Sequence, residues 1–103
     1  MARPKFNFLE LEDYTILKFE IPGGVTSPEE AAQAVKTIEG RLPGEKPLLV
    51  NGRGPVWLYG MLCHAGHPRP AVATYDPRLA GYVVVATHKE GLELGQVIPD
   101  PEL

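Results

Sequence analysis

A single cysteine, Cys63, leaves the chain no internal disulfide, and no apolar run reaches the length of a membrane span or has the form of a secretion signal. Both absences lead to the expectation of a cytoplasmic protein that does not associate with a membrane. Nor is there an excess of positive charge: ten basic residues stand against thirteen acidic ones, a net charge of -3. That balance excludes a general nucleic-acid coat, so any anionic ligand must be held by local geometry. Asparagine and glutamine occur only twice each beside eleven prolines, which fits a thermophilic host and bears on stability alone. The sequence contains no repeat, linker or low-complexity stretch.

What remains is one domain, residues 1-103, with 44% hydrophobic composition and a core modest enough that a partner subunit would bury useful further surface. An oligomer is expected. Alternation of apolar residues predicts a hairpin of strands from Lys5 to Leu11 and Tyr14 to Ile21. Ser27, Pro28 and Glu30 then form a capping box for a helix whose buried stripe is Ala31, Val35, Ile38 and Leu42, with Gly40 at its end. A strand from Pro47 to Asn51, a helix from Pro55 to Ala65 and strands from Ala71 to Tyr75, Tyr82 to Thr87 and Gln96 to Ile98 complete the reading. Strand-helix alternation implies an α/β domain: a mixed, mostly parallel sheet with two crossover helices, the N-terminal hairpin and added antiparallel strands.

Nearly every reactive side chain falls between Val50 and Arg78. An apolar strand runs into Asn51-Gly52-Arg53-Gly54-Pro55, so the loop amides and the positive helix end offer an anion site to which Arg53 adds a fork suited to phosphate. Gly-x-Gly also serves as an ordinary tight turn, and both readings stand at this point. Ligands of parallel sheets gather beyond the carboxyl ends of the strands, which places Gly52, Arg53, Gly54, Asp76 and Arg78 on one edge. His64 and His67 lie at the far end of the second helix, roughly 18 Å away along its axis. Two imidazoles there can simply meet the helix dipole and carbonyls, or begin a metal site that two ligands do not define. If His67 and Asp76 act together, they must come from different subunits.

The segments Gly52-Arg53-Gly54-Pro55-Val56-Trp57-Leu58, His64-x-x-His67, Tyr75-Asp76-Pro77-Arg78-Leu79 and Val83-Val84-Val85 leading to His88 resemble the CRISPR-associated Csx-three family over the last half of the chain. The resemblance implies a ring nuclease that cleaves cyclic tetra-adenylate and so switches off type III CRISPR antiviral signalling. It implies a fold similar to the dimeric, Rossmann-like domains that sense cyclic oligoadenylate, and dependence on manganese. His67, Asp76 and Arg78 match the family's catalytic positions, with Asp76 and His67 as candidate metal ligands and Gly52, Arg53, Gly54 and His64 as candidate ligand contacts. It further implies homodimers that stack on the ring. Two alternatives are a manganese-dependent exonuclease acting on RNA 3' ends and a sensor that binds the ring without cutting it. Against the resemblance, this chain has Pro68 where the family often carries a further histidine, and a segment Ala80-Gly81 one residue longer than usual, which loosens the placement of His88. Trp57 and Tyr59 can stack on adenine, although aromatic residues early in a buried helix more often serve the core.

Overall fold

The computed structural model describes residues 1–103. Six strands, β1 (Lys5–Glu10), β2 (Thr15–Glu20), β3 (Leu48–Gly52), β4 (Ala71–Asp76), β5 (Gly81–Thr87) and β6 (Val97–Pro99), form one sheet in sequence order. Helix α1 (Pro28–Ile38) joins β2 to β3 and α2 (Val56–Ala65) joins β3 to β4. Each expected element is present within a residue or two.

The balance of pairings differs from expectation. Only β2–β3 and β3–β4 are parallel, whereas β1–β2, β4–β5 and β5–β6 are antiparallel. The mostly parallel sheet is thus corrected to a mixed sheet in which antiparallel pairs outnumber parallel ones. Parallel neighbours need a long crossover, and the chain has two helices to supply one. Because the strand order never reverses, both crossovers pack on the same face and α1 lies against α2. A Rossmann-like sheet carries helices on both faces, so this topology does not reproduce that arrangement.

The two faces explain the sequence pattern. Leu17, Phe19, Leu48, Val50 and Val72 point to the helices and join Ala31, Val35, Ile38, Leu58 and Leu62 in the larger core. The alternate residues Ile16, Leu49, Ala73, Tyr82, Val84 and Ile98 form a second core on the opposite face. There the C-terminal tail takes the place of helices, with Glu102 pairing to Lys18 of β2 at 2.8 Å. A bulge pairs Val72 with Ala86 but Ala73 with Val84, leaving Val85 without a residue opposite.

Capping of α1 follows the sequence in part. The Ser27 side chain accepts from the Glu30 amide at 3.1 Å, while the Glu30 carboxylate turns to Arg3 instead of completing the box. Gly40 does not end the helix: α1 stops at Ile38, and a 3-10 turn over Glu39–Arg41 carries the chain on to buried Leu42.

Candidate functional site

The β3–α2 loop closes tightly over Phe19. A Cβ at Gly52 would lie 2.6 Å from the Phe19 ring and carbonyl, and one at Gly54 2.7 Å from the same ring. Neither glycine has a positive φ, so Gly-x-Gly is required here by close packing and not by an unusual backbone. Tyr59 fixes the loop from the first turns of α2: its hydroxyl accepts from the Gly52 amide at 3.0 Å and donates to the Gly52 carbonyl. Its ring meets Phe19 edge-on at 5.2 Å, and burial pushes the phenol pKa up.

One expected anion donor is therefore removed. The Gly52 amide is engaged by Tyr59 and is not free for phosphate. The Arg53 and Gly54 amides have no backbone acceptor, and the Arg53 side chain is exposed. Pro55 occupies the N-cap and supplies no side-chain cap, which leaves the helix start open. Arg53, Gly54 and Trp57 line a cleft of about 620 Å³, closed on the other side by the end of β2 and the turn through Gly24 and Thr26. Trp57 lines this cleft and also packs against the core.

Asp76 and Arg78 lie on the same edge. Phe19 pairs with Gly52 and Val50 with Thr74, so the ends of β2, β3 and β4 stand side by side. Asp76 Oδ1 accepts from the Arg78 amide at 2.9 Å and from Nε at 3.3 Å, and Oδ2 accepts from Nη2 at 3.2 Å. These bonds hold the Asp76 carboxyl below its usual range and raise the guanidinium. The Arg78 side chain is 88% exposed and that of Asp76 23%, so the guanidinium can turn from the carboxylate to a phosphate at little cost.

The histidines occupy the other pole. His64 and His67 are exposed at the end of α2, their rings parallel with centroids 6.3 Å apart. His67 lines two grooves, one against α1 with Lys36 and Glu39, the other along α2 with Cys63, Thr74 and Val85. Cys63 is only half-buried, less covered than a small core residue would be, and burial raises its thiol pKa. His88 stands at this pole as well, its amide bonded to the Pro70 carbonyl at 3.0 Å just beyond β5. The whole of β4, roughly 17 Å long, separates His67 from Asp76.

That separation decides the metal question for a single chain. No three His, Cys, Asp or Glu side chains converge, and both Asp76 oxygens already accept from Arg78. The donors of one chain do not fit a manganese ion bound by His67 and Asp76 together.

Residues that carried no sequence signal also shape this region. Arg69 is only 4% exposed, with its guanidinium bound to the Leu42 and Lys46 carbonyls and to Thr15 Oγ1 at 2.8 Å. It ties the loop before β3 to the loop before β4. Thr26 Oγ1 is buried beside the cleft without a hydrogen-bond partner. Ala80 adopts a left-handed conformation with φ 47°. An arginine among prolines carries no burial signal in the sequence, and only the fold encloses it.

No helix is long and apolar enough to cross a membrane. An uncharacterized protein of Aquifex aeolicus (strain VF5) is 47% identical over 51 residues, half of this chain. The chain spans about half the length of that relative, 46% of it being covered. The model of a CRISPR-associated protein family matches residues 17–99, which takes in the sheet from β2 onward, both helices, the Phe19-Gly52-Tyr59 clamp and both poles, and the chain therefore belongs to the CRISPR-associated family Cas_csx3.

Proposed function

We propose that this protein is a ring nuclease, a homodimer that binds and cleaves cyclic tetra-adenylate and so ends type III CRISPR signalling. Family membership supports the reading, and the observation that carries it is the division of the motif residues between two poles. Cutting an RNA phosphodiester requires an activated nucleophile, stabilisation of the charge gathering on phosphate, and protonation of the leaving oxygen. One chain keeps its proton-transfer group and its phosphate-binding groups a strand length apart.

Stacking resolves this. When the His67 pole of one dimer meets the Asp76 pole of another across the ring, all groups face the same phosphodiester. The exposed Arg78 guanidinium then binds the phosphate, and the Arg53 side chain with the Arg53 and Gly54 amides holds a neighbouring one. Asp76, kept ionised, accepts a hydrogen bond from the attacking hydroxyl and orients it. His67 of the other dimer transfers protons, the task an imidazole performs near neutral pH. If manganese takes part, it must draw ligands from the nucleotide or from a second copy.

Incubating the protein with cyclic tetra-adenylate and separating the products by chromatography tests the reading. Linear products are expected. An intact but bound ring would replace the proposal with a sensor, and faster trimming of linear poly-adenosine would replace it with an exonuclease.

A further inference from the structure

The two loops that carry the phosphate-binding groups stand on separate pairs of strands. Paired residues of β3 and β4 end at Val50 and Thr74, although each strand runs two residues further. Beyond that rung β3 stays with β2, through Phe19 opposite Gly52, and β4 stays with β5, through Asp76 opposite Gly81. Gly52 has its amide and its carbonyl bonded to the Tyr59 hydroxyl, so neither reaches β4. One side-chain hydrogen bond spans this division. Asn51, two residues before Arg53, donates from Nδ2 to the hydroxyl of Tyr82, one residue past Gly81, at 3.0 Å. The phenol reaches over β4, where its ring packs on Tyr75 with centroids 5.1 Å apart. Tyr82 is fully buried, and Gly81 lies so close to β6 that a Cβ there would stand 2.6 Å from the Ile98 carbonyl, so this end of the bond is a fixed post. Burial also pushes the Tyr82 phenol up to about 12, which keeps its proton in place across neutral pH.

We propose that Asn51 and Tyr82 are positioning residues, whose hydrogen bond holds the Arg53 loop at a set distance from the Asp76 turn and so selects ligands whose phosphates match that distance. A ligand that touches both loops binds well only when their spacing is fixed beforehand, because ordering them on binding would use up part of the contact energy. The pair touches no ligand itself. Asp76 and Arg78 are bonded to each other within one turn, so the Asn51–Tyr82 bond governs the span between the loops and not the geometry of that charged pair. The identity of the ligand, a ring with several phosphates at regular spacing, rests on the ring-nuclease reading, whereas the coupling of the two loops stands on geometry alone.

Tyr82→Phe removes the hydroxyl alone, and Asn51→Ala removes its donor. In the free protein either change should speed amide hydrogen exchange at residues 51–54 and leave β1 as it was. With cyclic tetra-adenylate as substrate, each should raise KM about fivefold, the scale of one lost hydrogen bond. The value of kcat and the acid limb of the pH profile should stay unchanged, because Asp76 and Arg78 keep their own bonds. The double variant should be no worse than either single one, since both changes remove the same bond. A pair that served folding alone would lower the melting temperature and leave KM, measured well below it, unaltered. Unchanged exchange, unchanged KM, or losses that add in the double variant overturn the proposal. The two readings fail separately: a wild type that leaves the ring uncut, with faster exchange at residues 51–54 in Tyr82→Phe, keeps the link between the loops and ends the ring-nuclease reading. One that cuts the ring, with exchange and KM unchanged in Tyr82→Phe, does the opposite.

Discussion

Arg78 grips both oxygens of Asp76, through Nε at 3.3 Å and Nη2 at 3.2 Å, while its own amide donates to Oδ1 at 2.9 Å. A side chain expected to serve phosphate thus also lowers the pKa of its neighbour. The carboxyl is lowered chiefly by the Arg78 side chain. A lowered folded value stabilises the protein above the unfolded carboxyl value of about 3.9, and that contribution is lost as pH falls through the folded value.

Removing the guanidinium should therefore move the acid limb of the activity profile to higher pH, because Asp76 then protonates more readily. Arg78→Ala should show this shift in kcat/KM together with weaker ring binding. Arg78→Lys should recover only part of both, since an ammonium cannot span two oxygens. An unmoved acid limb in Arg78→Ala would separate Asp76 from the pH-dependent step.

Loss of either pole should stop chemistry and spare binding. His67→Ala and Asp76→Ala should each lower ring cleavage by about 100-fold or more, the scale of a positioned acid or base. Mixing the two inactive variants should restore activity, because some junctions in a mixed stack pair an intact His67 with an intact Asp76. Specific activity should also rise with protein concentration in the dilute range. A dead mixture and a flat dilution series would end the stacking mechanism.

Tyr59 clamps the loop through its two hydrogen bonds to Gly52. Tyr59→Phe removes two hydrogen bonds to Gly52 and should cost about 1–3 kcal/mol in denaturant unfolding. Gly54→Ala should be destabilising too, by about 1–3 kcal/mol, because the new methyl meets the Phe19 ring. A wild-type unfolding midpoint in both variants would show that the loop does not depend on this packing.

The strained residue after the Asp76 turn offers a change of opposite sign. Ala80 sits at φ 47°, where a side chain is disfavoured by about 1–2 kcal/mol. Part of that gain is offset because glycine loosens the unfolded chain. Ala80→Gly should still raise stability by about 0.5–1 kcal/mol and leave ring binding unchanged, as calorimetric melting and titration would show.

The order of elements was legible in the chain because helix and strand periods are local. The Ser27 cap, the stripe through Val35 and Ile38, and the alternation in β2 are each read within a few residues. The separation of His67 from Asp76 was legible as well, since chain direction and element length fix which end of a strand a residue occupies. Tertiary structure alone decided the rest. The antiparallel majority of the sheet and the stacking of both helices on one face depend on which strands become neighbours. The need for glycine at positions 52 and 54 comes from Phe19, more than thirty residues earlier, and the burial of Arg69 from carbonyls at Leu42 and Lys46. These contacts join distant parts of the chain, where close packing, and not any local preference for helix, strand or turn, selects the residue.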